Sequence, residues 1–197
     1  MDQKHIYELN NNILNEIQNV RKIIFNRCFN DKVDGLLPDN VEEIIFGQEF
    51  NNSVNNLPKN IKKLVFGSKF NKEIDNLPYG LRELFLGNDF NHPLDFLPDT
   101  LEILETGICF YKPLDNLPRN LKKIIFNGYY RGCLDNLPDS VEIMKIQYYF
   151  GKINKLPKSL VKIYINEDYN HSLPIGNYKV KRVLNRARLF SSIIIKI

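Results

Sequence analysis

Three residue types in this chain could do chemistry. His5, His92 and His171 offer imidazole nitrogens for a metal or a proton relay. Cys28, Cys109 and Cys133 offer thiols. Asp34, Asp75, Asp95, Asp115 and Asp135, with Asn55 and Asn154 completing the row, offer a file of oxygen ligands that could suit Ca²⁺. No Gly-rich phosphate loop and no Ser nucleophile motif accompanies them. Whether any of these groups can meet depends on the elements that carry them.

Those elements are set by a repeat. Leu-Pro recurs with prolines at Pro38, Pro58, Pro78, Pro98, Pro118, Pro138 and Pro157, with five gaps of 20 residues and one of 19. An apolar frame recurs between them. One unit reads Leu57-Pro58, Ile61, Leu64, Phe66, Phe70-Asn71, Ile74; the next reads Leu77-Pro78, Leu81, Leu84, Leu86, Phe90-Asn91, Leu94. Counted from the first strand residue, units start at Val20, Val41, Ile61, Leu81, Leu101, Leu121, Val141 and Leu160.

Leu-x-x-Leu-x-Phe ends on two apolar residues two apart, the period of a strand. One short strand per coil is therefore expected, stacking into a parallel sheet on the order of 38 Å long, with right-handed crossovers. Proline cannot donate to a sheet ladder, so Leu-Pro marks a corner outside the strand whose Leu points inward. The Phe of Phe-Asn and the aliphatic residue four positions on close the far side of the coil. The fold class expected is mainly β: a right-handed, leucine-rich-repeat-like solenoid of about eight coils, roughly 20 residues each, with one parallel sheet and terminal caps.

Residues 20–174 form the solenoid in this reading. Residues 1–19 are an N-terminal cap, with Ile6, Leu9, Ile13 and Ile17 at near-helical spacing over residues 3–17. Residues 175–197 are a basic C-terminal cap or a degenerate ninth unit, the frame continuing through Val180, Val183, Leu189 and Ile193.

The repeat resembles the FNIP repeat, a leucine-rich-repeat relative found in social amoebae and in giant viruses that infect amoebae. The matching motif is Leu-Pro-x-x-Leu-x-x-Leu-x-Phe-Gly-x-x-Phe-Asn, nearly whole from Leu57 to Asn71 and from Leu77 to Asn91. The resemblance covers roughly residues 18–174. Family members often carry an F-box ahead of the repeats, which implies a role in choosing substrates for a ubiquitin ligase. Here too few residues precede Val20 for an F-box, so a substrate-recognition or decoy module without one is expected. The motif Asn gives way to Tyr111, Arg131 and Gly151 in three units, and Thr106 replaces the apolar strand end in the fifth.

The repeat decides the chemistry. His92 and His171 occupy one repeat position four coils apart, and so do Cys28 and Cys109. Four coils are ~19 Å, too far for a shared metal or a disulfide. The aspartate file suits turn-building better than metal, because Asn replaces Asp freely and either side chain can bond its own backbone two residues on. The Asn after Phe reads as an amide ladder. No enzyme, metal site or cofactor is expected.

The outward strand residues are more informative. The third-position row is Lys22, Glu43, Lys63, Glu83, Ile103, Lys123, Ile143, Lys162. Its first half alternates in sign, which favours correct register. The fifth-position row is Ile24, Ile45, Val65, Phe85, Glu105, Ile125, Lys145, Tyr164, facing the concave side. Its apolar members Ile24, Ile45, Val65, Phe85, Ile125 and Tyr164 either reflect strand propensity or form a stripe that docks a partner. Continuity over the first four units favours docking, so a protein-binding scaffold is expected, with its partner unidentified.

The runner-up is nucleic acid or an anionic surface at Lys179, Lys181, Arg182, Arg186 and Arg188. A net charge of only +4 disfavours nucleic acid as the partner of the whole fold. The odd cysteine count and an N-terminus without an apolar signal core point to a reduced, cytoplasmic home, the host cytoplasm if the protein is viral. No apolar run approaches the ~18 residues of a membrane span, and a monomer is expected.

Overall fold

The computed structural model describes residues 3–165, 169, 171–174, 178–182 and 192–196. One strand per coil lies where the apolar frame puts it. These are β2 (Lys22–Phe25), β3 (Glu43–Ile45), β4 (Lys63–Val65), β5 (Glu83–Phe85), β6 (Ile103–Thr106), β7 (Lys123–Tyr129), β8 (Ile143–Tyr148) and β9 (Lys162–Ile165). Each pairs in parallel with the next, equivalent residue against equivalent residue: Ile23↔Ile44, Ile44↔Leu64, Leu64↔Leu84. The order expected from the repeat is the order observed.

Both ends depart from it. Gln3–Ile6 is a strand, β1, parallel to β2, not the start of a helix. The expected helix over 3–17 shrinks to α1 (Asn11–Glu16) and a 3₁₀ turn at Ile17–Asn19. The asparagine run explains the boundary: Asn10 Oδ1 accepts from the Ile13 N–H at 3.1 Å and so starts the helix. At the other end β10 (Tyr178–Arg182) and β11 (Ser192–Lys196) run antiparallel to each other, and β11 runs antiparallel to β9. A ninth unit would continue the parallel ladder, and the two described strands of this end, β10 and β11, do not continue it. Tyr164 pairs with Ile193 and Ile163 with Ile194 across that reversed strand.

The core is one continuous cluster through all coils. The first and fourth positions of each unit are buried, as are the Leu-Pro leucines, Leu37 through Leu156. Each corner closes on itself: the Pro58 carbonyl accepts from Ile61 N–H at 3.4 Å, and Pro78 from Leu81 at 3.0 Å. That bond explains the Pro-x-x-Leu spacing. Proline lends its carbonyl to the turn and has no N–H to leave unsatisfied.

Aromatic rings stack in columns along the solenoid. At the strand ends, Phe25, Phe46 and Phe66 stand 5.2 Å apart, ring to ring. Farther from the sheet, Phe50, Phe70 and Phe90 stand 6.0 and 6.1 Å apart. Paired strands are ~4.8 Å apart. The coils therefore splay with distance from the sheet, which places the sheet on the inner side of the bend.

Glycine keeps the coils this close. A Cβ on Gly67 would stand 2.0 Å from the Gly47 carbonyl oxygen, and one on Gly87 1.8 Å from that of Gly67. Real Cβ atoms do not approach backbone so closely. A Cβ on Gly80, by contrast, would find its nearest neighbour at 3.9 Å. Gly67→Ala is expected to cost about 3 kcal/mol, the upper range for overpacking, and Gly80→Ala far less. Leu84→Ala, buried between coils on both sides, should cost about 2–5 kcal/mol. Ile163→Ala should cost less, since one coil and the single reversed strand β11, rather than two coils, flank it. Urea unfolding of the four variants checks the order; equal midpoints for the two glycine variants would refute the close-approach argument.

Candidate docking face

The fifth-position residues form one row across the sheet. Ile24, Ile45, Val65 and Phe85 are mutual pairing partners on β2 to β5, followed by Glu105, Ile125, Lys145 and Tyr164 on β6 to β9. All are half-buried except Ile125, which is only 7% exposed and presents almost nothing to a partner. The stripe is thus narrower than its residue types suggest. Phe85 is also partly shielded: Lys63 Nζ lies 5.3 Å from its ring centroid, a cation–π contact.

Two charged ladders run beside the stripe. In the third-position row Glu43 bridges Lys22 at 3.2 Å and Lys63 at 3.9 Å, and Lys63 reaches Glu83 at 3.2 Å. This is the alternation read from the sequence. A second ladder, in the second-position row, was not singled out there. Arg21 and Lys62 flank Glu42 at 3.5 and 2.9 Å, and Arg82 and Lys122 flank Glu102 at 3.5 and 2.9 Å. Hydrogen bonds from Lys62 and Lys122 hold the Glu42 and Glu102 carboxyls below the usual range. The signal was available: Arg21, Glu42, Lys62, Arg82, Glu102 and Lys122 recur at the unit period.

The polar turn residues work between coils. Asn30 Oδ1 accepts from the Asn51 N–H at 2.8 Å, Asn51 from Asn71 at 3.0 Å, Asn71 from Asn91 at 3.0 Å, and Asn91 from Tyr111 at 3.2 Å. This is the amide ladder expected of Phe-Asn, and it stops at Tyr111, which has no acceptor there. From that point tyrosines replace the inner phenylalanines. Tyr130 Oη donates to the Lys112 carbonyl at 3.1 Å and Tyr149 Oη to the equivalent Gly132 carbonyl at 3.3 Å. Burial pushes both phenols up, Tyr149 to about 12, so both stay protonated donors.

This geometry corrects one assignment. In the 19-residue unit it is Tyr149, 1% exposed, that fills the inner aromatic slot, and Phe150, 56% exposed, that takes the ladder place assigned to Gly151. The aspartates also differ from expectation. Asp34, Asp95, Asp115 and Asp135 reach the next coil rather than their own backbone two residues on. Asp34 Oδ1 accepts from Asn56 N–H at 3.1 Å, Asp95 from Asn116 Nδ2 at 3.0 Å and Asp115 from Asn136 Nδ2 at 2.7 Å. Asp135 accepts from Asn154 N–H and Nδ2, both at 2.8 Å.

The remaining chemical candidates stay apart. His92 Nε2–H donates to the Asn71 carbonyl at 3.2 Å and His171 Nε2–H to the Phe150 carbonyl at 3.0 Å, one repeat role performed twice. Cys28, Cys109 and Cys133 are exposed free thiols. Among the described residues no group of His, Cys, Asp and Glu is placed to hold a metal. No helix among them is long and apolar enough to cross a membrane. Lys179, Lys181 and Arg182 lie on β10; Arg186 and Arg188 fall outside the described residues.

One exposed cluster was missed. Tyr129 and Tyr148 stack at 4.5 Å, Phe150 follows at 6.3 Å, and Ile108 lies in the same cleft. The register shift between Phe126 and Tyr129 sets Tyr129 beside Tyr148.

The FNIP repeat family matches residues 50–89 and, overlapping them, 70–109. Among solved structures the chain is similar to CroV588, a protein of a giant virus described as a novel circular leucine-rich-repeat structure, with TM-score 0.62 and 28% identity. The likeness covers 80% of this chain and 29% of that one, so the chain spans under a third of that protein's length. No curated protein matches. The sequence resemblance and the leucine-rich-repeat-like fold are thus both found.

A pH dependence follows from the inter-coil carboxylates. The Asn154 side-chain amide, then the backbone N–H groups of Asn154 and Lys155, hold the Asp135 carboxyl below its usual range. A depressed folded pKa stabilises the fold above the unfolded value. That contribution is lost as pH falls below about 4 toward the folded value. Asp135→Asn keeps an acceptor but cannot titrate. Its thermal midpoint should fall less steeply than wild type between about pH 4 and pH 2; parallel curves would show that the carboxylate is not coupled to folding.

Proposed function

We propose that this FNIP-repeat solenoid is a non-enzymatic scaffold that docks a protein partner on the outward, inner-bend face of its parallel sheet. One observation carries the reading: Ile24, Ile45, Val65 and Phe85 form an unbroken apolar row across four paired strands. Beside it the Lys22–Glu43–Lys63–Glu83 ladder satisfies its own charges. A partner can cover such a face without stripping water from isolated ions, the costly step in burying charge. No nucleophile with a paired base and no phosphate loop lies on this face. In the setting the family resemblance implies, the face would select substrates for a ubiquitin ligase or act as a decoy for them.

Phe85 is the largest apolar side chain of the row, and substitution on the outward face leaves the core intact. Phe85→Lys is expected to cut partner recovery from host lysate about tenfold, the scale of losing one interface anchor, while the unfolding midpoint stays close to wild type. Equal recovery by wild type and variant would remove the stripe from the argument.

A further inference from the structure

The two halves of the outward face differ in a way that specifies the partner's chemistry. On β2 to β5 the lysines and glutamates alternate and bridge one another. On β6 to β9 each strand again carries one charged and one apolar outward residue, but the two swap rows from strand to strand. The third-position row becomes Ile103, Lys123, Ile143, Lys162, joined by direct pairing. Here the charged places hold lysine without an intervening glutamate. Lys162 Nζ rests 5.7 Å from the Tyr164 ring centroid, a cation–π contact, and among the described residues no carboxylate forms an ion pair with it.

Two acids near this row are engaged elsewhere. Glu105, in the neighbouring row, accepts from Asn127 Nδ2 at 2.7 Å. Glu102 is held between Arg82 and Lys122. The half-face is therefore cationic and apolar by turns. Strands stand ~4.8 Å apart, so the row steps apolar, positive, apolar, positive at that interval. An extended peptide places same-face residues ~6.6–6.8 Å apart and falls out of step. A helix places i, i+4 and i+7 neighbours ~5–6 Å apart and stays in step over four strands. Aliphatic Ile103 and Ile143, alternating with the lysines, suit side chains better than a phosphate backbone.

We propose that the outward face of β6 to β9 docks an acidic amphipathic helix of a partner protein, its carboxylates on Lys123 and Lys162 and its apolar residues on Ile103 and Ile143. This rests on the reading of the outward face as a docking surface and names what the second half of that surface recognises. Lys145 and Tyr164 flank the row and border the same helix.

The test is a fluorescence-anisotropy titration of the full chain with a synthetic helical peptide bearing Leu and Glu on alternate turns of one face. Saturable binding that weakens with salt is expected. The double variant Lys123→Glu, Lys162→Glu should weaken it at least about tenfold, since close charge pairs across an interface are being reversed. An unchanged thermal midpoint shows that the variant is folded, and the milder Lys123→Gln should weaken binding less. Phe85→Lys should leave the peptide's affinity intact, which separates this surface from the first four strands. No binding by wild type would overturn the proposal. Equal binding by the double variant would do the same. A poly-Glu peptide or a single-stranded oligonucleotide binding as tightly as the Leu-bearing peptide would overturn it too, because the row would then be a general anion surface. Loss of lysate capture in Phe85→Lys alone, with no peptide binding by wild type, would leave the scaffold reading standing and this one refuted.

Discussion

Backbone hydrogen bonds between successive coils hold them one strand spacing apart, ~4.8 Å, and every side chain must fit that interval. The bonds are not confined to strands. The Lys62 N–H donates to the Glu42 carbonyl and the Asp89 N–H to the Ser68 carbonyl, one coil back in each case. At the turn after β3, β4, β5 and β6 the backbones come closer than a Cβ allows, and glycine at 47, 67, 87 and 107 is the result. Where the spacing is tight, side chains are removed; where it is looser, away from the sheet, flat phenylalanine rings fill it. The bend of the solenoid follows from that gradient.

Because each coil repeats its neighbour, each polar group meets its own counterpart. A side chain with both a donor and an acceptor can be satisfied by a copy of itself or by the backbone beside it. Asparagine meets this requirement, and its oxygen serves the N–H of the following coil from Asn30 to Asn91. When Tyr111, Arg131 and Phe150 interrupt the column, the hydroxyls of Tyr130 and Tyr149 supply a bond to the coil from the opposite side of the turn. The loss of one ladder and the change from Phe to Tyr are one structural event. Thr106 is a similar exchange: its buried hydroxyl donates to the Ile125 carbonyl at 3.4 Å in place of a strand-end aromatic.

The parts of the fold that repeat were legible in the sequence, because period 20 and the Leu-Pro corner leave one way to stack the coils. Register, inward positions and the third-position ion pairs all follow. What was not legible is what breaks the period. Gln3–Ile6 adds a strand without the unit's Leu-Pro corner, so only its pairing to β2 reveals it. The 19-residue unit offers Tyr148, Tyr149 and Phe150 for one inner slot, and spacing alone cannot choose among three aromatics. The aspartates were recognised as turn residues, but a sequence does not say whether a short carboxylate bonds within its own turn or to the next one. Along the candidate face, residue type overstated exposure at Ile125, whose neighbours cover it.

The outward face shows how one set of residues divides between holding register and meeting a partner. A slip by one residue in any strand would turn its buried side chains outward, so register is already fixed by the core. The Lys22–Glu43–Lys63–Glu83 ladder adds little energy, since exposed pairs of this kind contribute ~0.2–1 kcal/mol each. Its larger consequence is neutrality: charges consumed within the sheet cannot attract a ligand. On β6 to β9 the same outward places carry lysine without that consumption, and isoleucine takes the alternate places. Among the described residues Lys123 and Lys162 form no ion pair there, unlike their counterparts on β2 to β5. Physical economy in the first half and unspent charge in the second are two states of one repeat position, and the difference between them is what gives a uniform solenoid a direction along its length.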